Sequence, residues 1–230
     1  MISGVIFDKD GTLFDFRKSW GGWAAALLSR VGQGEAHARK LGHAIGFDLD
    51  RMSFAPDSPV IAGTPEDIAV PLLTHLPGET VTSLAAQMNA LSAEADMVPA
   101  APLAEVLGGL RDRGLKIGLA TNDAEAPAHA HVTRAGVAPL FDYIAGFDSG
   151  HGGKPAPGML LAFARRFGLE PGDVVMVGDS LHDLEAGRAA GMRRVAVLTG
   201  IAGAEVLTPH ADVVLPDIGH LGAWIDQQRR

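Results

Sequence analysis

Asp8 and Asp10 stand two apart, directly after the apolar run Gly4-Val5-Ile6-Phe7. On an extended chain positions i and i+2 face the same way, so the two carboxyls can share one ligand while Lys9 points elsewhere. Such a pair suits a nucleophile beside a proton donor. Ionised Asp8 would attack phosphorus, and protonated Asp10 would hand its proton to the departing alkoxide. Gly11 permits a sharp turn, and Thr12 is placed to cap the segment after it. Three more polar segments follow later apolar runs or helical patterns: Thr121-Asn122-Asp123, the stretch Gly150-His151-Gly152-Gly153-Lys154-Pro155, and Gly178-Asp179-Ser180-Leu181-His182-Asp183.

Charge arithmetic links these segments. Ionised Asp8, Asp179 and Asp183 would each oppose a dianionic phosphate, at a cost of about 1 to 4 kcal/mol per pair of charges at ~4 Å for effective dielectric constants of about 80 to 20. A Mg²⁺ ion and Lys154 offset that repulsion, and a set of carboxylates, a main-chain carbonyl, phosphate oxygen and water is what Mg²⁺ prefers. The expected metal set is Asp8, the main-chain carbonyl of Asp10, and Asp179. Asp183, one helical turn on, is expected behind it, holding a metal-bound water or orienting the lysine. Thr121, Asn122 and Lys154 are the expected phosphate binders, donating to its oxygens.

The elements that must carry these residues are legible. Gly4 to Phe7, Lys116 to Ala120, Val174 to Val177, Val195 to Leu198 and Val213 to Leu215 read as buried strands of a parallel sheet. Helical patterns over Pro102 to Arg113, Ala124 to Ala135, Pro157 to Phe167 and Leu181 to Ala190 each stop at a glycine. Alternation of this kind predicts an α/β fold with a doubly wound parallel sheet, in which ligands gather beyond the carboxyl ends of the strands. Between Phe14 and about Val98 strand signals are nearly absent. Helices are predicted from Ser19 to Val31, from a start at Thr64-Pro65-Glu66-Asp67, and from about Thr80 to Ala95, with Pro71 threatening to kink or shorten the second. Residues 1–14 and 98–230 are therefore expected to form the core and 15–97 an inserted all-helical domain, with Pro99 to Pro102 as a hinge.

The bulk numbers exclude several classes. The 230 residues are 47% hydrophobic and 20% charged, which rules out wholesale disorder. Nineteen basic against 27 acidic residues leave a formal charge of −8, so nucleic acid and anionic membrane are not expected partners. The absence of cysteine removes a thiolate metal site, a cysteine nucleophile and a disulfide framework. No apolar stretch approaches the ~20 residues that cross a bilayer, and the N-terminus reads as mature sequence, so the expected location is cytoplasmic. Gly150 to Lys154 fails as a nucleotide-binding loop, because Asp148 occupies the position of the first glycine and Pro155 that of the hydroxyl residue. Most of the nine histidines read as surface or packing residues, with His151 and His182 nearest the proposed site. Trp20, Trp23 and Phe16 are expected under the insertion or along a substrate pocket.

Taken in order, Asp8-Lys9-Asp10-Gly11-Thr12-Leu13, Thr121-Asn122, Lys154-Pro155 and Gly178-Asp179 with Asp183 resemble the four motifs of the haloacid dehalogenase superfamily of phosphohydrolases. The resemblance implies a Rossmann-like core with an inserted helical cap. It implies Asp8 as nucleophile, Asp10 as general acid and base, Thr121 and Lys154 as phosphate binders, and Asp179 as metal ligand. An acid at Asp10 points to phosphate esters, since halide needs no proton. The chain is most similar to phosphoglycolate phosphatases, but where many of these carry Asp-Ser after the first motif it has Asp15-Phe16-Arg17-Lys18-Ser19-Trp20. Arg17 or Lys18 is placed to meet a second anionic group or to lie in solvent.

The implied activity is a Mg²⁺-dependent phosphatase acting through an aspartyl-phosphate. Its partner would be a small phosphorylated metabolite, phosphoglycolate-like or a sugar phosphate, and its state monomer or homodimer. A phosphomutase of the same superfamily is the alternative. A receiver-type phosphoacceptor module is less compatible, because its acceptor stands on the third strand and no helical insertion follows.

Overall fold

The computed structural model describes residues 1–228. Its frame is a six-stranded parallel sheet with the order β5-β4-β1-β6-β7-β8. β1 is Gly4–Phe7. Four helices come next, α1 Phe16–Val31, α2 Glu35–Ala44, α3 Pro65–Leu73 and α4 Val81–Glu94. A ribbon of β2 Phe47–Asp48 and β3 Ser53–Phe54 interrupts them. The chain then alternates: α5 Leu103–Asp112, β4 Lys116–Ala120, α6 Glu125–Arg134, β5 Tyr143–Ala145, α7 Gly158–Phe167, β6 Val174–Gly178, α8 Leu181–Ala190, β7 Arg193–Val197, α9 Ala204–Leu207, β8 Val213–Leu215 and α10 Leu221–Gln227.

The two central strands β1 and β6 are buried at every residue, as continuous apolar runs covered on both faces must be. Val5 and Phe7 pack on one face with Leu107 and Ile225, while Ile6 packs on the other with Leu160 and Phe163. The register pairs Phe7 with both Leu119 and Val177. The carboxyl ends of β1, β4 and β6 are thus level, and the residues after them emerge side by side where the strand order reverses.

Residues between β1 and α5 bury their own apolar cluster, including Trp23, Leu27, Leu41, Leu72 and Leu84. The chain enters and leaves this region along one seam: the Asp15 N–H donates to Val98 O at 2.8 Å and the Ala100 N–H to Leu13 O at 2.9 Å. α3 starts as its sequence dictates, with Pro65 in its first turn. Thr64 and Asp67 cap each other reciprocally there, Thr64 N donating to Asp67 Oδ2 at 2.8 Å and Thr64 Oγ1 accepting from Asp67 N. Pro71 lies inside this helix, which ends at Leu73. Gly168 and Gly191 close α7 and α8 in the left-handed conformation, at φ 63° and 74°.

Several elements depart from expectation. α1 begins at Phe16 instead of Ser19, because the Asp15 carboxylate caps it by accepting from the Lys18 N–H at 3.1 Å. The insertion is not purely helical, since β2 and β3 form a short antiparallel ribbon within it. β7 spans Arg193 to Val197, two residues earlier than its apolar run, and Arg194 is held by Asp212 at 2.8 Å. α2, β5, α9 and α10 are elements that the sequence reading does not place. Among the described residues no helix is long and apolar enough to cross a membrane.

Candidate active site

The loops after β1, β4 and β6 and the Lys154 loop converge on one cavity, which Asp8, Asp10, Thr121, Lys154 and Asp179 all line. Asp8, Lys154, Asp179 and Asp183 are almost wholly buried. The Lys154 ammonium donates to Asp8 Oδ1 at 2.5 Å, Asp183 Oδ1 at 2.6 Å and the Ala120 carbonyl at 2.8 Å, which occupies its three donors. Burial alone would depress this lysine, but Asp183 and Asp8 outweigh it and hold the ammonium charged.

The carboxylates feel the opposite balance. Burial, with Asp183 and Asp10 nearby, pushes Asp8 up to about 7 despite the attraction of Lys154. Burial and the charges of Asp8 and Asp183 raise Asp179 well above the usual carboxylate range. One oxygen from each of Asp8, Asp179 and Asp183 lies within 4.8 Å of the others. A buried cluster of hard oxygens short of positive charge fits a divalent cation of the Mg²⁺ kind.

Asp179 is seated by glycines. A Cβ on Gly11, which stands at φ +84°, would fall 2.3 Å from Asp179 Oδ2, and a Cβ on Gly200 only 1.7 Å from it. Both backbones approach the carboxylate where no side chain fits. Thr12 Oγ1 donates to Asp179 Oδ1 at 3.3 Å, so this hydroxyl serves the carboxylate, and the cap of α1 is Asp15. Thr199 and Gly200 follow β7 and close the far side, with Thr199 Oγ1 donating to Gly11 O at 2.6 Å. Sequence reading missed this pair, although the rule of inspecting residues after each strand would have reached them.

Asp183 is fixed on both sides. Its Oδ2 accepts from Ser180 Oγ at 2.7 Å and from the Ser180 N–H at 3.1 Å, and its Oδ1 faces Lys154. Thr121 Oγ1 accepts the Asp123 N–H at 3.0 Å, which leaves its own proton for an oxyanion.

Asn122 requires a correction. Its amide nitrogen donates to Ala62 O and to Lys154 O, both at 2.8 Å, and its Oδ1 accepts the Lys154 N–H at 2.7 Å. With both amide protons engaged, its side chain clasps the Lys154 loop to the insertion and has no donor left for phosphate.

Lys9 is a larger surprise. Fully buried, it donates to Asp10 Oδ2 at 3.0 Å, Asp123 Oδ2 at 3.0 Å and His131 Nδ1 at 2.9 Å, with the Trp20 ring centroid 5.2 Å away. Its backbone alternation does point it away from Asp8, but its long stem bends the charge back onto Asp10. Burial works against the ammonium, and Asp10 and Asp123 more than offset that. His131 Nε2 faces Ser92 O at 2.6 Å. A carbonyl on one nitrogen and an ammonium on the other fix the neutral tautomer, protonated at Nε2. Burial first, and Lys9 second, lower this histidine to about 4.

The insertion supplies two more partners: Trp20 Nε1 donates to Asp10 Oδ1 at 2.9 Å, and Ser92 Oγ to Asp123 Oδ2 at 2.9 Å. Trp20 and Trp23 line the cavity, whereas Phe16 packs into the insertion's own core against Phe54. Lys18 pairs with Asp15 at 2.7 Å on the surface, Arg17 is exposed, and neither lines the cavity. His182 lines it and His151 does not.

Residues 2–191 match the haloacid dehalogenase-like hydrolases, and the chain belongs to that family. It is an enzyme of the phosphatase kind, a phosphoric monoester hydrolase, similar along nearly its whole length to proteins named phosphoglycolate phosphatase. One of these, from Nitrosospira multiformis, is 29% identical over 222 residues, covering 94% of this chain and 92% of its own. Another, from Rhodospirillum rubrum, is 29% identical over 238 residues, covering 98% and 91%. Among solved structures, CbbY from Rhodobacter sphaeroides in complex with phosphate superposes with a TM-score of 0.73 at 21% identity, over 96% of this chain and 97% of that one. The β-phosphoglucomutase from Clostridium difficile gives 0.70 at 20%, over 100% and 97%. At such identities the two structures speak for the fold.

Proposed function

We propose that the chain hydrolyses a small phosphate monoester by way of a phosphoryl group carried on Asp8. The observation that carries this reading is the buried arrangement in which Asp8 meets Lys154, Asp179 and Asp183 while Asp10 stands apart on its own support of Lys9 and Trp20. Two carboxyls of one motif thereby have different surroundings and can take different roles.

In the first half-reaction a carboxylate oxygen of Asp8 bonds to phosphorus and the ester P–O bond breaks. Asp10 gives its proton to the departing alkoxide, and Lys9 and the Trp20 N–H stabilise the carboxylate that remains. In the second half-reaction Asp10 takes a proton from water, whose oxygen attacks phosphorus. The bond to Asp8 breaks, and inorganic phosphate leaves. Thr121 orients one phosphoryl oxygen, and the Lys154 donor now on Asp8 Oδ1 turns to another once Asp8 engages phosphorus, while Asp183 and Ala120 O keep the ammonium in place. Asp8 and Asp179 would hold Mg²⁺ through their side chains, with the Asp10 carbonyl as the third protein ligand and Asp183 behind. Bound there, the ion would supply the positive charge that the carboxylates and phosphate together require. Residues 1–14 and 98–230 act in this reading as the catalytic core and 15–97 as the cap.

Asp8→Asn keeps the shape of the side chain and removes one of three crowded carboxylates, so folding should survive. Phosphate release should fall below detection with thermal stability retained. Robust metal-dependent turnover by that variant would overturn the covalent route. A phosphomutase would instead convert a sugar phosphate to its isomer, in the presence of a bisphosphate, without releasing phosphate.

A further inference from the structure

Asp8 attacks from one side of phosphorus, so the leaving oxygen lies on the other, near Asp10. Asp10 is bonded to Trp20 of the insertion, which directs the alcohol part of the substrate against that wall of the cavity. The wall is apolar: Trp20 and Trp23 of α1, Val60 ahead of α3, Ile68 of α3 and Met88 of α4. Its polar atoms are largely engaged. Trp20 Nε1 serves Asp10, Trp23 Nε1 donates to Met88 O, and Ser92 Oγ serves Asp123. The Asn89 amide is the exception: its Oδ1 is a buried acceptor without a partner, and its nitrogen is not engaged by the protein either. Among the described residues the basic side chains lining the cavity are Lys154, whose donors are held by Asp8, Asp183 and Ala120 O at the far end from this wall, and His182, exposed at the start of α8 on the core side.

A second anionic group on the substrate would therefore be desolvated against indole and alkyl surface, in a cavity whose carboxylates Asp10 and Asp123 already take up the nearby Lys9 charge. A sugar would bring several hydroxyls to a wall with one open amide, leaving most of them without partners. Arg17 and Lys18, the cations of the segment where the sequence departs from the phosphoglycolate phosphatase pattern, do not reach the cavity. Resting on the phosphatase reading above, we propose that the substrate is the phosphate ester of an uncharged, largely apolar alcohol, aromatic or branched aliphatic. Phosphorylated carboxylic acids and sugar phosphates are the classes it excludes.

The test measures phosphate release by the full chain with Mg²⁺ on four esters of primary alcohols: benzyl phosphate, 3-methylbutyl phosphate, phosphoglycolate and glucose 6-phosphate. Acetyl phosphate reports the phosphoryl chemistry without a leaving group to recognise. At least one apolar ester should exceed both phosphoglycolate and glucose 6-phosphate in kcat/KM by tenfold or more. If either of those two matches or exceeds the apolar esters, the inference is overturned. Turnover of acetyl phosphate alone overturns it too but leaves the phosphatase reading standing, whereas inertness toward all five compounds removes both. Asn89→Lys places a cation on the half-buried wall, and the ratio of phosphoglycolate to benzyl phosphate activity within one preparation cancels differences in folded fraction. That ratio should rise at least fivefold, and a ratio that stays constant would place the leaving group elsewhere and overturn the inference.

Discussion

Lys9 illustrates how one side chain that does not line the cavity can tie together several residues that do or that stand behind it. Its buried ammonium has three donors and meets three acceptors, on the half-buried Asp10 and Asp123 and on the buried His131. Removing it strands two carboxylates and an imidazole. Lys9→Met, which keeps most of the stem, should lower unfolding stability by about 3 to 5 kcal/mol, the usual cost of leaving buried charge uncompensated. Chemical denaturation reads this directly, and a loss under about 1 kcal/mol would show the network to be energetically idle. His131 carries a separate signature. Its folded value near 4 lies below the ordinary 6.5, so between those pH values the unfolded chain binds a proton that the native one refuses. Stability from this group is present above pH 6.5 and lost as pH falls toward 4, by about 3 kcal/mol in all. The raised carboxyls Asp8 and Asp179 act in the opposite sense in metal-free protein, since there the native state keeps protons that the unfolded chain has released. The wild type should therefore be compared with His131→Gln, whose unfolding free energy should decline less between pH 7 and pH 4.5. Parallel curves would remove the histidine from the account.

At the scale of elements, the part of the fold legible in the sequence rests on periodicity and stop signals. β1, β4 and β8 fall where their apolar runs end in polar or glycine residues, and α8 spans Leu181–Ala190 as its pattern requires. The four motif segments are likewise brought to one cavity. The illegible part depends on partners distant in the chain. β5 has three residues and takes its identity from pairing with β4, and the ribbon of β2 and β3 has two residues a side. The Lys9 network joins positions 9, 92, 123 and 131, whose proximity no local pattern announces. Asn122 departs from expectation for a related reason: its residue type suits phosphate, but Ala62 O of the insertion and Lys154 O of the core take its two donors first. The loop after β7 shows how a small residue can matter through the space it leaves. Gly200→Ala would drive a methyl into the Asp179 carboxylate. Its expected effect is a rise of about 10- to 100-fold in the Mg²⁺ concentration for half-maximal activity, as for other disturbances behind a metal ligand. Titration of activity against Mg²⁺ measures it, and an unchanged midpoint would disconnect Gly200 from the metal.

For the molecule as a whole, the insertion is tied to the core by hydrogen bonds that converge on the site. Trp20 reaches Asp10, Ala62 O accepts from Asn122, Ser92 O faces His131, and Ser92 Oγ donates to Asp123. Arg134 adds two bonds to the end of α4 and the residue after it, at Ala93 O and Ala95 O, each at 2.8 Å. In the proposed reading, with Asp10 as the acid and residues 15–97 as the cap, the residues that position the one also hold down the other, which would couple closure to the arrangement of Asp10. If substrate and product pass by opening of that cap, these bonds break and re-form in each turnover, and their strength sets the population of the open state. Ser92→Ala removes one bond and leaves the Ser92 carbonyl on His131. A net loss of about 1 kcal/mol for that bond predicts about a fivefold rise in the open population, since the lost hydroxyl contact is replaced by water only when the cap is open. Hydrogen exchange of the amides in α4 and of the seam at Asp15 and Ala100 should speed up by that factor, while those of β1 and β6 stay unchanged. Equal exchange in both proteins would mean that the cap is held by its apolar contacts alone. Uniform acceleration through the central strands would mean that the serine supports global stability and has no part in closure.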